Sequence, residues 1–228
     1  MAKFVPKFWK PGTEAPGVHE ERQQYRNQIL YLVERYQTVV IVGETGCGKS
    51  TQIPQFLLEA GWGAEGHVIG VTQPRRVACT TVANRVAEER GAVLGHEVGY
   101  SIRFDNRFDP EATRIKFLTD GMLVREMMAD PLLKKYSILM LDEAHERTLH
   151  TDIIIGLLKK IQKKREDLRI IVSSATLDAE AFRDFFNKNV SDMESFDTAH
   201  ILSIEGRAFP VSVFYRESPV PDYAKATV

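Results

Sequence analysis

Residues 39–42, 68–72, 115–118, 138–141 and 170–173 are short runs dominated by apolar and β-branched side chains. Runs of this length without strict polar alternation predict strands covered on both faces. Between and after them the apolar positions recur at helical spacing, which predicts helices over 49–60, 76–90, 121–128, 152–163 and 179–187. A further helix is predicted over 21–35, where Tyr25, Ile29, Leu32 and Val33 share one face. Pro54 falls inside the helix over 49–60 and should remove one backbone hydrogen bond and kink it. The alternation of strand and helix predicts an α/β fold, a mainly parallel sheet with helices on both faces. Residues 1–20, with Pro6, Pro11, Gly12, Pro16 and Gly17 and little periodicity, read as a flexible leader.

Composition narrows this picture only slightly. At 228 residues the chain suits one large domain, and 43% hydrophobic with 27% charged residues is the balance of a globular protein. The net charge of −1 gives no sign of a nucleic-acid binder, so any such case rests on local residues. No apolar run approaches a membrane span and residues 1–17 lack a signal-peptide core, so an intracellular location without membrane attachment is expected. Cys47 and Cys79 are expected to be free thiols. The basic residues Lys159, Lys160, Lys163, Lys164 and Arg165 fall along one predicted helix face and read as a solvated surface.

Open parallel sheets bind ligands at the carboxyl ends of their strands, so the residues that follow each run carry the functional signal. After 39–42 comes GETGCGKST, in which Gly43, Gly48, Lys49 and Ser50 match G-x-x-x-x-G-K-[ST] without a mismatch. Gly46 and Gly48 permit a backbone turn whose N–H groups converge on an anion, and the helix that follows directs its positive end there. Lys49 would meet the β and γ phosphates, and the Ser50 hydroxyl would ligate Mg²⁺. The nucleotide site would comprise Gly43, Glu44, Thr45, Gly46, Cys47, Gly48, Lys49, Ser50 and Thr51. After 138–141 come Asp142, Glu143, Ala144 and His145. In phosphate-loop enzymes an aspartate at such a strand end holds Mg²⁺, and an adjacent glutamate orients or deprotonates the attacking water. Ser50, Asp142 and Glu143 are thus the candidate metal-site residues.

The run 142–145, together with GETGCGKS, TQPRRVA at 72–78, TDGML at 119–123 and SAT at 174–176, resembles the motifs of the DEAH-box RNA helicases, in that family's order. The resemblance extends from Gln28 to Val228 and implies the first RecA-like P-loop NTPase domain of such an enzyme, over residues 21–218. It implies ATP, other nucleoside triphosphates included, with Mg²⁺ as cofactors, and single-stranded RNA as a partner. Lys49, Asp142, Glu143 and His145 would take the catalytic positions, with His145 coupling nucleotide state to a facing domain. Ser174, Ala175 and Thr176 would link hydrolysis to strand movement, although Ser and Thr after a strand are also ordinary turn residues. Arg85 is similar to the arginine on which the adenine stacks, a contact that accepts any base. By its spacing alone it would be a helix-surface arginine. The RNA candidates are Arg75, Arg76, Arg103, Phe104, Thr119 and Gly121, groups suited to positioning a phosphate backbone without reading bases.

The connecting sequence is similar to a spliceosome-associated subgroup of the family. This implies spliceosomal or G-patch-type protein partners, a nuclear location and a monomeric chain. Two departures stand out. HEERQQYRNQIL lacks the Leu-Pro step that usually precedes the first strand, which leaves the docking of residues 1–28 open. Residues 219–228 read as the start of a linker to a second RecA-like domain, and the arginine finger of that domain is not expected among the 228 residues. Such a finger is worth about 10³–10⁵-fold in phosphoryl transfer, and the chain alone is expected to bind nucleotide and hydrolyse it very slowly. The rival readings are a truncated non-catalytic isoform that binds nucleotide, RNA or a splicing partner, and a small-molecule kinase or transporter ATPase.

Overall fold

The computed structural model describes residues 18–175, 178–191 and 193–204. Its elements run α1 (Val18–Arg35), β1 (Thr38–Gly43), α2 (Lys49–Glu59), β2 (Val68–Gln73), α3 (Arg76–Glu89), β3 (Val98–Ile102), β4 (Asp105–Arg107), β5 (Ile115–Thr119), α4 (Asp120–Ala129), β6 (Tyr136–Leu141), α5 (Leu149–Ile161), β7 (Arg169–Ser174), α6 (Ala179–Phe186) and β8 (Ala199–Ile204). The strands form one sheet in the order β4-β3-β5-β2-β6-β7-β1-β8, parallel throughout except for the β3–β4 hairpin. This is the α/β fold anticipated from the alternation of elements, and it is consistent with the RecA-like domain that the resemblance implies.

The pleat explains why the strand sequences read as unbroken apolar runs. Val39 and Ile41 of β1 join Ile53 of α2 and Val86 of α3 in one core. Val40 joins Leu123 of α4, Leu158 of α5 and Phe182 of α6 in the other. Strand β6 divides the same way, Ile138 and Met140 to one layer and Leu139 and Leu141 to the other. With both faces covered, neither set of alternate positions has a reason to be polar.

The differences from the sequence reading have local causes. Strands β3, β4 and β8 escape the pattern because VGYSI and AHILSI are diluted by small or polar residues and β4 is the wholly exposed DNR. Gly99 in β3 is required by the hairpin, since a Cβ there would lie 2.5 Å from the Arg107 carbonyl oxygen. Helix α1 begins at Val18, inside the stretch read as leader; residues 1–17 lie outside the described residues. Helix α5 begins at Leu149 rather than Asp152 because Thr148 caps it, its Oγ1 accepting from the Thr151 N–H at 3.2 Å. Helix α2 is continuous through the buried Pro54. The proline lies just beyond the first turn, where the amide it lacks would have met only the Ser50 carbonyl.

The basic run is not a uniformly solvated face. Arg165 is buried and donates to the Leu132 and Leu133 carbonyls at 3.1 and 2.6 Å. Lys159 donates to the Phe185 carbonyl and sits 4.5 Å from that ring's centroid. Lys160, Lys163 and Lys164 are exposed as expected. Both cysteines are free thiols. Among the described residues, no helix is long and apolar enough to cross a membrane.

Candidate functional site

Because β3, β5, β2, β6, β7 and β1 are parallel, their carboxyl ends form one edge. The segments leaving that edge carry, in this spatial order, Arg103 and Phe104, then Thr119 to Gly121, then Arg75 and Arg76, then Asp142 to His145, then Ser174 and Ala175, then residues 43–51. The arginine-bearing and TDG segments thus occupy one half of the edge, and the phosphate-loop and DEAH segments the other. The halves meet where β2 pairs with β6. Thr176 lies outside the described residues.

In the loop after β1, Gly46 and Gly48 have φ of +86° and +92°, a conformation that favours glycine. Gly48 is also the N-cap of α2, so the first amides of that helix face the loop. The Lys49 ammonium is buried and folds over the loop, donating to the Gly43 and Glu44 carbonyls at 2.6 and 2.8 Å and lying 3.6 Å from Cys47 Sγ. Thr51 donates to the Gly48 carbonyl at 3.1 Å. Thr45 is exposed and Ser50 half-buried in the first turn of α2. Arg85, on α3, binds Glu89 Oε1 at 2.8 Å. The other Glu89 oxygen accepts from Gln52 and Gln55 of α2, each at 2.8 Å. This holds Arg85 beside the phosphate-loop helix with more than half of its side chain exposed.

At the end of β6, Asp142 is buried, accepting from Gln73 Nε2 at 2.5 Å and from the Glu143 N–H at 3.0 Å. The following short 3-10 turn, Ala144–Glu146, is bracketed by Glu143 and Arg147, both left-handed at φ of 52° and 48°. Non-glycine residues rarely adopt this conformation. Burial, and then the adjacent Asp142 charge, raise the Glu143 carboxyl above the ordinary glutamate range, while His145 and Lys49 oppose that rise. His145 Nε2 lies 3.5 Å from Glu143 Oε2, and its Nδ1 accepts the Ala175 N–H at 3.3 Å. The neutral ring then carries its proton on Nε2, facing Glu143. One imidazole thereby joins the DEAH turn to the 174–176 segment, where Ser174 pairs with Val42, the residue before Gly43.

On the other half of the edge, the exposed Arg75 pairs with Glu146 Oε1 at 3.1 Å, and Arg76 opens α3, also exposed. Thr119 is the N-cap of α4, and the exposed Gly121 faces the His150 ring, which would lie 3.8 Å from a Cβ there. Arg103 and Phe104 form the two-residue turn between β3 and β4, the guanidinium 4.8 Å from the ring centroid. Phe104 has φ of 72° and is 86% exposed.

Among the described residues, no group of three or more His, Cys, Asp or Glu could cage a metal ion. Mg²⁺ bound with a nucleotide draws most ligands from phosphate and water, so a buried carboxylate (Asp142) and a hydroxyl (Ser50) are a donor set that fits it. The apolar cavity at the opposite edge, lined by Val68, Phe108, Lys116, Glu126, Leu133 and Tyr136, is a poor rival. Its polar groups already satisfy one another: Glu126 binds Lys116 at 2.7 Å and the Tyr136 hydroxyl at 2.5 Å.

Residues 23–185 match the sequence profile of the family described as DEAD/DEAH box helicase. The chain belongs to the DEAD/DEAH box helicase family. It is 67% identical over 254 aligned residues to the human "Probable ATP-dependent RNA helicase DHX35", covering 97% of this chain and 36% of that protein. It is 62% identical to the Caenorhabditis elegans homolog of the same name, over 89% of this chain and 28% of that protein. The Schizosaccharomyces pombe "Putative pre-mRNA-splicing factor ATP-dependent RNA helicase C20H4.09" is 46% identical, over 90% of this chain and 30% of its own length. The chain thus spans about a third of the length of the curated relatives it matches.

In this DEAD/DEAH-family chain, sequence reasoning missed several residues of the edge. Gln73 anchors Asp142, Glu146 holds Arg75, and Asp120, Thr148 and Thr151 form a buried cluster. Gln73 and Asp120 lie within recognised motifs and Glu146 directly follows one, whereas Thr148 and Thr151 lie three and six residues past His145. A polar residue closing an apolar strand, as Gln73 does after VIGVT, is the one signal that marks such a position in advance.

Proposed function

We propose that residues 21–218 form the ATP-binding domain of an ATP-dependent RNA helicase, which binds ATP with Mg²⁺ at the β1, β7 and β6 half of the edge and single-stranded RNA at the other half. The observation that carries this reading is the placement of the 43–51 loop and the Asp142–His145 turn on one edge of the sheet, with Asp142 anchored by Gln73 and His145 Nε2 3.5 Å from Glu143 Oε2. In this reading the Lys49 ammonium exchanges the Gly43 and Glu44 carbonyls for phosphate oxygens. Ser50 and Asp142 hold Mg²⁺, which when bound offsets phosphate charge, and Gln73 fixes the Asp142 carboxylate. Glu143, its proton affinity raised by burial, takes the proton of the attacking water. His145 transmits the state of Glu143 to the Ala175 amide. Arg85 offers its exposed guanidinium to the base.

For RNA, the exposed Arg75, Arg76 and Arg103 would neutralise phosphates, the Thr119 to Gly121 turn would position the backbone, and Phe104 offers a face for stacking. The name of the S. pombe relative supports a role in pre-mRNA splicing and, with it, a nuclear location; spliceosomal or G-patch-type partners are what the family resemblance implies. Replacing Arg75 and Arg76 together by Gln tests the RNA half. Affinity for oligonucleotides of different sequence should fall uniformly, and the dependence of log K on log salt should lose about one unit of slope per lost contact. An unaltered affinity and slope would remove both arginines from the RNA surface.

A further inference from the structure

Asp120 is 4% exposed and lies between Thr119 and Gly121, yet it points away from solvent into α5. Its Oδ2 accepts from Thr151 Oγ1 at 2.5 Å and from Thr148 Oγ1 at 3.3 Å, and the two hydroxyls lie 2.7 Å apart. Oδ1 has no hydrogen-bond partner among the described residues. Packing α4 against α5 does not call for such an arrangement. Apolar residues would serve, whereas a buried carboxylate must be desolvated and here remains half satisfied.

The partners of Asp120 are what give it meaning. Thr148 lies one residue beyond Arg147, the left-handed residue that ends the turn carrying Glu143 and His145, and it caps α5 through the Thr151 N–H. Four residues separate Glu143 from Thr148, so a displacement of either end of this short segment is felt at the other. Within the same segment Glu146 holds Arg75 at 3.1 Å. The stretch 143–151 is therefore fastened to the TDG turn through Asp120 and to the TQPRR segment through Arg75, while its start carries the candidate water-orienting glutamate.

We propose that Asp120 is a positioning residue that, through Thr151 and Thr148, ties the RNA-facing turn to the DEAH segment and so couples RNA binding to nucleotide binding. This rests on the functional reading above. RNA phosphate drawn to the 119–121 turn shifts Asp120. The hydrogen bond to Thr151 carries that shift into the first turn of α5, and Thr148 passes it to the turn that positions Glu143. The route is separate from the His145–Ala175 contact and lies on the opposite side of the DEAH turn.

The test is the ATP·Mg²⁺ affinity of the 228-residue chain, measured with and without a single-stranded oligouridine RNA, for wild type, Asp120→Ala, Thr151→Val and Thr151→Ser. Wild type is expected to bind ATP at least about 5-fold more tightly with RNA present. Thr151→Val removes one hydroxyl and keeps the branched shape. It should bind ATP alone within about 2-fold of wild type and lose most of that RNA effect. Thr151→Ser retains the hydroxyl and should restore the effect, and Asp120→Ala should behave as Thr151→Val. Coupling in Thr151→Val equal to wild type would overturn the proposal. So would wild type that binds both ligands without coupling, or loss of ATP binding and of the folded melting transition together in both Thr151→Val and Asp120→Ala. Failure of wild type to bind ATP or RNA at all would instead overturn the functional reading beneath it.

Discussion

Glu143 is the residue on which the proposed chemistry turns, and its surroundings make its protonation measurable. Burial and the Asp142 charge raise its carboxyl, so the folded state holds that proton to higher pH than the unfolded state does. Its contribution to stability is full below the ordinary glutamate value and is lost as pH rises through the raised folded value. Glu143→Gln removes the buried charge. It should melt on the order of 1–4 °C above wild type at pH 7–8 and show no such gain near pH 4, where both side chains are neutral. The same substitution should leave ATP binding nearly intact and lower turnover by about 10²–10⁴ in any form of the protein that turns over. A parallel pH–melting curve for the two proteins, or unchanged turnover, would show that the carboxylate is neither strained nor the base.

At the scale of elements, the end of β2 matters as much as the end of β6. Gln73 gives Asp142 one of its two hydrogen bonds, and both residues are almost completely buried. Gln73→Leu keeps the volume roughly and leaves a buried carboxylate oxygen unpaired, which costs about 1–3 kcal/mol. A melting temperature several degrees lower should accompany a Mg²⁺-dependent loss of ATP affinity, while nucleotide binding without Mg²⁺ changes little. Equal losses with and without Mg²⁺ would mean that Gln73 supports the strand and not the carboxylate. Strand and helix legibility followed the same logic of burial. β1, β2, β5, β6 and β7 are covered on both faces and announce themselves as apolar runs, as do the helices that cover them. β4 and β8 are the edge strands, where fewer neighbours demand apolar residues, and β3, although buried throughout, has Gly99 and Ser101 at its alternate positions, so all three left little trace. The site residues were legible where a motif fixes several positions at once, as in 43–51 and 142–145. Gln73, Asp120, Glu146 and Thr151 were not, because their roles arise from contacts between segments that no local spacing encodes. The burial of Arg165 was hidden for the same reason, since the Leu132 and Leu133 carbonyls it caps belong to a distant loop.

Across the whole molecule, sheet order does what sequence order does not: it brings the motifs after β1, β7 and β6 side by side and sets them against those after β2, β5 and β3. Two halves of one edge, linked at the β2–β6 boundary by Gln73–Asp142 and Arg75–Glu146, form a surface on which a nucleotide and a strand of RNA could lie next to each other. The central claim is that the loop between β1 and α2 holds the phosphates of ATP. Titration of the chain with ATP, with and without Mg²⁺, against Lys49→Ala tests it most directly. The account predicts Mg²⁺-dependent binding by wild type that weakens by at least about 10-fold in Lys49→Ala, as expected for loss of a charge-assisted contact worth 1.5–3 kcal/mol. Equal affinity of the two proteins, or none in either while both remain folded, would contradict it.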